Sequence, residues 1–386
     1  MWDKPLNLIQ VMLAEGNDEA SFHAPLVQGR FCLMGETMKK MMITLFLFVL
    51  LGVVACGGEQ AAEEQAVVRL MTHDSFDISA ELLADFEAET GLRVAVFKAG
   101  DGGEALNKAI LAQDAPLADV FFGVDNTFLS RALDNNIFLP YDSPRLDDID
   151  DSLELDPDNQ ALPVDYGDIC LNYDVAWFAE RGLAPPDDLA DLTDPTLAGL
   201  TVVENPATST PGLGFLLATI ETFGEDGYLA YWQQLVDNDV LVVDGWETAY
   251  YSHFTAASEG GRPIVVSYAS SPVAEVYFAE EPPAAAPTAA VVADGTCFRQ
   301  IEFVGILRGT AVEEEARRLV DFMLDRRFQE DIPLKMFVYP ANQTAALPEV
   351  FALHSRVPAA PAQVAPTRIA ANREAWINAW TEVVLR

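Results

Sequence analysis

Short apolar runs alternate with helix-patterned segments along most of this chain, and most of the apolar runs end in a polar loop. That alternation constrains the fold more than any single motif does. Strands followed by helices build α/β layers around a mostly parallel sheet. Val67 to Met71 reads as a buried strand, followed by the loop Thr72-His73-Asp74-Ser75-Phe76. Ser79 is placed to cap a helix over Ala80 to Thr90, with Leu82, Leu83 and Phe86 on one face and Gly91 at its end. Leu92 to Phe97 is the next strand, Gly100 to Gly103 the next loop, and Glu104 to Gln113 the next helix. Ala118 to Gly123 forms a third strand that enters Val124-Asp125-Asn126, with a helix over Thr127 to Asn135. In open α/β sheets, ligands lie beyond the carboxyl ends of the strands. Asp74-Ser75, Gly102-Gly103 and Asp125-Asn126 all occupy such ends.

The second half repeats the pattern after an acidic, loop-rich stretch from Pro140 to Gln160. Asp168 to Tyr173 reads as a strand led in by Pro163 to Gly167, and Leu200 to Val203 as another. Between Leu200–Val203 and the apolar helix-like run Phe215 to Ile220 lies Asn205-Pro206-Ala207-Thr208-Ser209-Thr210-Pro211-Gly212-Leu213-Gly214. Ser209 or Thr210 can cap the following helix, and Pro211 suits its first turn. Gly212 and Gly214 would let a ligand approach the backbone. Helix patterns also cover Gly227 to Asn238, Glu247 to Ser258, Val312 to Arg327 and about Ala370 to Leu385. Strands are expected at Val240 to Val243, Ile264 to Ser267 and Cys297 to Leu307, with Phe337 to Pro340 extended. Trp376 and Trp380 fall at helical spacing and read as core.

At 386 residues, two domains are the expectation. The net charge of −37 argues against a nucleic-acid partner and describes a solvated acidic surface. Met38-Lys39-Lys40 opens a basic region, Met41 to Val54 is apolar, and Val53-Val54-Ala55-Cys56 follows. This is the layout of a secretory signal. The small residues before Cys56 resemble a bacterial lipobox, which implies lipidation at Cys56. Residues 1–37 are expected to be a mis-assigned upstream extension, 38–56 the signal peptide, and 57–66 a flexible tether.

Of four cysteines, only Cys170 and Cys297 remain in the exported body. An oxidising compartment permits a bridge between them, and two free buried thiols are the alternative. No GxSxG elbow, HExxH motif or Walker loop occurs. His73 and His253 lack a Cys or His at metal-ligand spacing. Instead, strand-end loops carry Asp, Ser, Tyr and Trp. A carboxylate beside aromatic faces suits an organic cation, so the vocabulary is one of binding.

Seen together, several segments resemble the thiamine-binding proteins of bacterial ABC importers. They are Thr72 to Phe76, Gly123 to Asn126, Asp165-Tyr166-Gly167, Asn205 to Gly214, Gly245 to Tyr250, Ser267-Tyr268 with Ser271-Pro272, Tyr339-Pro340, and Arg373 to Ile377. The resemblance runs from about Val67 to Arg386. It implies a type II periplasmic-binding-protein-like α/β fold of two lobes, each a mixed sheet flanked by helices, hinged by crossover strands. Lobe one would hold residues 67–166 and 299–338, and lobe two 167–298 and 339–386. Adjacent crossover strands would bring Cys170 and Cys297 together, which favours the disulfide.

The same resemblance implies a site. Trp246, Tyr250 and Tyr268 would stack on the ligand rings, and Asp74, Asp125 and Asp165 would face its cation or aminopyrimidine. Ser75, Asn126, Ser270 and Ser271 would donate hydrogen bonds. Tyr166, Phe337 and Tyr339 would wall the cleft. Ser209, Thr210 and the amide of Gly212 would hold the hydroxyethyl end of thiamine or its phosphate. Phe337, Ala274 and His73 depart from the Trp, Tyr and Tyr that family members can carry, which would alter stacking. The function implied is delivery of thiamine or its mono- or diphosphate to an ABC permease, by a lipid-anchored monomer facing the periplasm or medium. No cofactor, catalytic residue or metal site is expected. Alternatives are an iron(III) receptor, although Tyr268-Ala269 lacks the tyrosine pair such receptors use, a polyamine receptor, and a thiaminase-like enzyme with a cleft cysteine.

Overall fold

The computed structural model describes residues 65–100, 102–281 and 283–386. The segments expected to be the upstream extension, the signal peptide with Cys56, and the tether up to residue 64 lie outside them. Eleven strands belong to one sheet. They are β1 (Val67–Thr72), β2 (Arg93–Lys98), β3 (Val120–Asp125), β4 (Phe138–Leu139), β5 (Leu162–Asp174), β6 (Thr201–Glu204), β7 (Leu241–Val243), β8 (Ile264–Tyr268), β9 (Thr288–Val291), β10 (Phe298–Leu307) and β11 (Tyr339–Pro340). The order is β2-β1-β3-β10-β5-β8-β6-β7, with β4 on β10 and both β9 and β11 on β5. The outer members pair in parallel (β1 with β2 and β3, β6 with β7 and β8), whereas β10 and β5 run antiparallel to their neighbours. The sheet is therefore mixed, with two parallel wings joined by two long strands.

Two large apolar cores flank that junction, and β5 and β10 enter both. Leu162 and Val164 of β5, with Ile301 to Leu307 of β10, pack with Phe76, Phe86, Phe121, Phe122, Phe322 and Phe328. A few residues along, Ile169 and Leu171 of β5, with Phe298 of β10, pack with Phe178, Phe215, Trp232, Trp376 and Trp380. The change of core falls between Val164 and Ile169 on one strand and between Phe298 and Ile301 on the other. Trp232 meets Trp380 edge-on at 5.4 Å and donates its indole N–H to Thr219 Oγ1 at 3.0 Å. Each buried aromatic of this size contributes about 2–3 kcal/mol of transfer free energy.

The junction is tied three ways. Phe298 pairs with Ile169, so the next pair along is Cys297 and Cys170, and these two are disulfide-bonded. Arg299 makes two hydrogen bonds to the buried Asp168 carboxylate, at 2.9 and 3.0 Å. Tyr339 of β11 sits beside Tyr166 of β5, the rings stacked at 5.2 Å, with the Arg299 guanidinium 4.7 Å from the Tyr166 ring.

Several local expectations need correction. Ser79 precedes the helix Ala80–Thr90 but does not cap it through its hydroxyl. Its Oγ donates to Asp331 Oδ1 at 2.5 Å instead, a charged acceptor outcompeting the helix amides. Val312 to Arg327 is not one helix. Asp325 adopts extended backbone and caps a second helix, Arg326–Lys335, by accepting from Arg327 N. Glu247 to Ser258 is a single α-turn, Trp246–Thr248, followed by a π-turn, Ala249–His253. Phe254 then becomes extended and bridges to Arg262. The last helix begins earlier than Ala370, at Pro366, whose missing N–H costs nothing there. Of Phe337 to Pro340, only the last two residues pair, and Phe337 has φ +56°. Among the described residues, no helix is long and apolar enough to cross a membrane.

Candidate functional site

Strand register builds the first part of the site. Glu302 of β10 pairs with Asp165 of β5 on one side and with Asp125 of β3 on the other. Paired residues project to the same face. Three carboxyl groups thus stand in a row across three neighbouring strands, where the two cores meet. His73, in the loop after β1, places Nε2 3.3 Å from Glu302 Oε1. Asp165 is fully buried and neither of its carboxyl oxygens has a hydrogen-bond donor from a neutral or cationic group. Burial and the adjacent Glu302 push the Asp165 carboxyl well above the carboxylate range. Burial acts on Glu302 too, but His73 and the Asp165 hydroxyl hold it below its ordinary value. His73 is raised despite burial, because Glu302 faces it. The surroundings therefore favour the protonated form of Asp165, the ionised form of Glu302 and the protonated form of His73. Asp125, also buried, is pushed up to about 6 although Thr127 donates to it twice, at 2.5 and 2.7 Å.

An aromatic wall forms the second part. Trp246 and Tyr250, four residues apart through the short turn, stack at 5.0 Å and 29°. The Trp246 indole N–H donates to Ser267 Oγ at 2.8 Å, and Ser267 Oγ lies 2.7 Å from Ser271 Oγ. Ser271 also accepts from the Tyr268 amide at 3.2 Å. These bonds fix the indole plane. Tyr250 is buried and its hydroxyl donates to Glu275. Tyr268 belongs with the carboxyl row: its hydroxyl donates to Gln300 Oε1 at 3.0 Å, and its electrostatic surroundings include Glu302, Asp125, Glu204 and Asp165, while only its backbone amide meets the aromatic part, through Ser271. Its ring edge passes Gly167 so closely that a Cβ there would stand 3.0 Å from it.

The other expected residues divide. Asp74 and Ser75 are exposed, and Asp74 Oδ1 accepts from Gly100 N at 3.1 Å, tying the loops after β1 and β2. Asn126 uses both ends of its amide on β10, donating to Arg299 O and accepting from Ile301 N. Ser270 Oγ donates to Phe337 O at 2.6 Å. Tyr339 is buried against Tyr166 and Phe351. Asn126, Ser270 and Tyr339 therefore hold the junction together. Ser209 caps the helix Thr210–Phe223, its Oγ accepting from Gly212 N at 3.4 Å. The openness expected at the two glycines is corrected: a Cβ on Gly212 would stand 2.6 Å from Glu204 O, and one on Gly214 2.4 Å from Ile169 Cδ1. Both glycines let the helix pack on strands. Phe337 contacts Tyr277 and Phe278 at 6.0 and 5.4 Å, an aromatic group with exposed members.

Glu302, Glu204, Gln300, Ser267 and Glu275 were not read from the sequence as site residues. The signal was present for two of them: Glu302 stands between Ile301 and the apolar stretch Phe303 to Leu307, and Glu204 closes Leu200 to Val203. A charged residue inside a buried strand needs a partner or a purpose.

This is a polar, acidic junction between two large cores, with an aromatic wall on a smaller core nearby and strand-end loops around it. The sequence pattern of bacterial extracellular solute-binding proteins matches residues 115–354. The chain belongs to that family. As a solute-binding protein it is 28% identical over 356 residues to a thiamine-binding periplasmic protein of Brucella suis biovar 1, covering 89% of this chain and 98% of the relative. It is 29% identical over 325 residues to the one of Escherichia coli K12, covering 83% and 94%. Among solved structures, a periplasmic thiamin binding protein superposes with a TM-score of 0.72 at 27% identity, covering 84% of this chain and 98% of that one. A ferric binding protein from Campylobacter jejuni superposes at 0.67 with 16% identity, covering 82% and 99%, a likeness of fold alone. The fold of this solute-binding protein is thus the type II arrangement of two lobes around crossover strands.

Proposed function

We propose that this solute-binding protein is the thiamine-receiving component of an ABC importer, taking thiamine or its phosphate esters between its lobes and delivering them to a membrane permease. The observation that carries this reading is the carboxyl row Asp125–Glu302–Asp165 beside Tyr268, with the Trp246–Tyr250 stack fastened to the same strand end through Ser267 and Ser271. A cationic heteroaromatic ligand satisfies both parts: the rings stack, and the positive charge settles beside the carboxylates. Relatives that share nearly the full length and carry thiamine in their names support the same ligand.

In this reading lobe one holds residues 67–166 and 299–338 and lobe two 167–298 and 339–386. The protein is a binding component with no catalytic activity, acts as a monomer, and is held at the membrane by lipid on Cys56 after removal of residues 38–55. Ser209, Thr210 and the first-turn amides of the helix Thr210–Phe223 meet the hydroxyethyl end or its phosphate. Ligand binds the closed arrangement more tightly than the open one and shifts the balance between them. A thermal-shift series with thiamine, its mono- and diphosphate, spermidine and ferric citrate tests the ligand class. Stabilisation by the thiamine forms alone is expected. A shift with spermidine or ferric citrate and none with thiamine replaces the reading. Release of cleaved thiamine would replace it with an enzyme.

A further inference from the structure

Glu204 closes β6 with 1% of its surface exposed, and neither of its carboxyl oxygens has a hydrogen-bond partner. The parallel pairing of β6 with β8 sets Thr201 beside Ile264 and Val202 beside Val265. Carried two residues further, the same register sets Glu204 beside Ser267. Side chains two apart in a strand share a face. Glu204 and Ser267 are therefore on the face of Val202 and Val265. That face carries the small core of Val202, Ala249, Tyr250, Phe254 and Val265, with Trp246 packed against it. Ser267 is the residue that receives the Trp246 indole N–H. The unpartnered carboxyl thus belongs to the same sheet face as the aromatic wall, and it is one of the acids around Tyr268.

A buried carboxyl without a partner is costly in the empty protein, and the cost is recovered when a ligand supplies one. Burial pushes the Glu204 carboxyl well above the usual carboxylate range, which favours its protonated form. A neutral carboxyl offers an O–H donor and a C=O acceptor side by side. An aminopyrimidine edge offers the complement: an exocyclic amino N–H beside a ring nitrogen.

We propose that Glu204 reads the aminopyrimidine edge of the ligand, accepting its amino N–H and donating to its ring nitrogen while the ring lies against the Trp246–Tyr250 wall. This rests on the thiamine reading and names the residue that would distinguish the vitamin from other flat cations.

The test is isothermal titration of the wild-type protein, Glu204→Met and Glu204→Gln with thiamine and with the analogue carrying hydrogen in place of the amino group. Wild type should prefer thiamine by about tenfold or more, because a site built to hydrogen-bond an N–H rejects a ligand lacking it. Glu204→Met should lose about tenfold for thiamine and bind the two ligands alike. Glu204→Gln presents a C=O and an N–H in the same places and should stay within about threefold of wild type. Empty Glu204→Met should unfold no earlier than wild type, since an unpartnered buried polar group has been removed. Equal affinity of wild type for both ligands overturns the proposal without any variant, as does full thiamine affinity in Glu204→Met. A Glu204→Gln protein as weak as Glu204→Met overturns the neutral pairing. Absence of thiamine binding by folded wild type brings down the thiamine reading itself, and this inference with it.

Discussion

Glu302 and Asp165 face each other across the β10–β5 pairing at the point where both strands pass from one core to the other. Two acids at one buried spot cannot both ionise without a large penalty, so they share a proton, and His73 balances the remaining charge. The row thereby carries less net charge than three ionised carboxylates would.

Glu302→Gln removes the main group that raises His73 and leaves burial and Lys98, which lower it, against a smaller raising effect of Asp125. The sequence holds four histidines, of which His73, His253 and His354 fall within the described residues. In an NMR titration the His73 transition should move to lower pH in the variant than in wild type. An unmoved His73 would show that Glu302 does not govern it.

Stability should fall as pH rises through the neutral range. Glu275 is pushed up to about 7, and Asp125 to about 6, both chiefly by burial. An acid with a raised folded pKa binds a proton more tightly in the native state, so its penalty grows as pH climbs from the unfolded value to the folded one. For Glu275 the window runs from 4.5 to about 7 and spans roughly 3 kcal/mol as an upper bound. His73, raised by Glu302, contributes stability below 6.5 that is lost as pH rises through its folded value, which adds to the same slope. Urea unfolding at pH 5 and pH 8 should give a lower midpoint at pH 8, and Glu275→Gln should narrow the difference. An unchanged difference in that variant would remove Glu275 from the account.

Reducing the Cys170–Cys297 bond should destabilise the protein while leaving the fold recognisable. The bond closes a loop of 127 residues of sequence separation, and loops of that length correspond to about 3–5 kcal/mol of denatured-state entropy. A Cys170→Ala, Cys297→Ala pair should lower the thermal midpoint by several degrees. No change with or without reductant would mean the bond adds nothing beyond the packing of β5 on β10.

The alternation of strands and helices was legible because most strand runs are apolar and end in polar loops, as at Val120–Asp125 followed by Asn126. The aromatic wall was legible through Trp246, Tyr250 and Tyr268, and the disulfide only through the resemblance, since spacing cannot pair cysteines 127 residues apart. The carboxyl row was half legible. Asp125 and Asp165 end or interrupt strands visibly, but nothing local says that Glu302 stands between them. That is set by the register of β10 with β3 and β5, a long-range property. Asn126, Ser270 and Ser271 looked like ligand donors because strand-end polar residues often are. The partners of Asn126 and Ser270, namely Arg299 O, Ile301 N and Phe337 O, come from segments far along the chain, whereas Ser271 meets Ser267 Oγ four residues back. The break at Asp325 was missed because helical periodicity continues across it, and a capping aspartate in the middle of a polar helix face is indistinguishable from a solvated one.

The central claim is that the Trp246 wall and the carboxyl row together hold a thiamine-class cation. Isothermal titration of wild type and Trp246→Ala with thiamine, alongside the unfolding midpoint of each, tests it most directly. The account predicts saturable one-to-one binding by wild type and a loss of about a hundredfold or more in Trp246→Ala, with the midpoint of the empty variant within a few degrees of wild type. No binding by wild type, or undiminished affinity in Trp246→Ala, would contradict it.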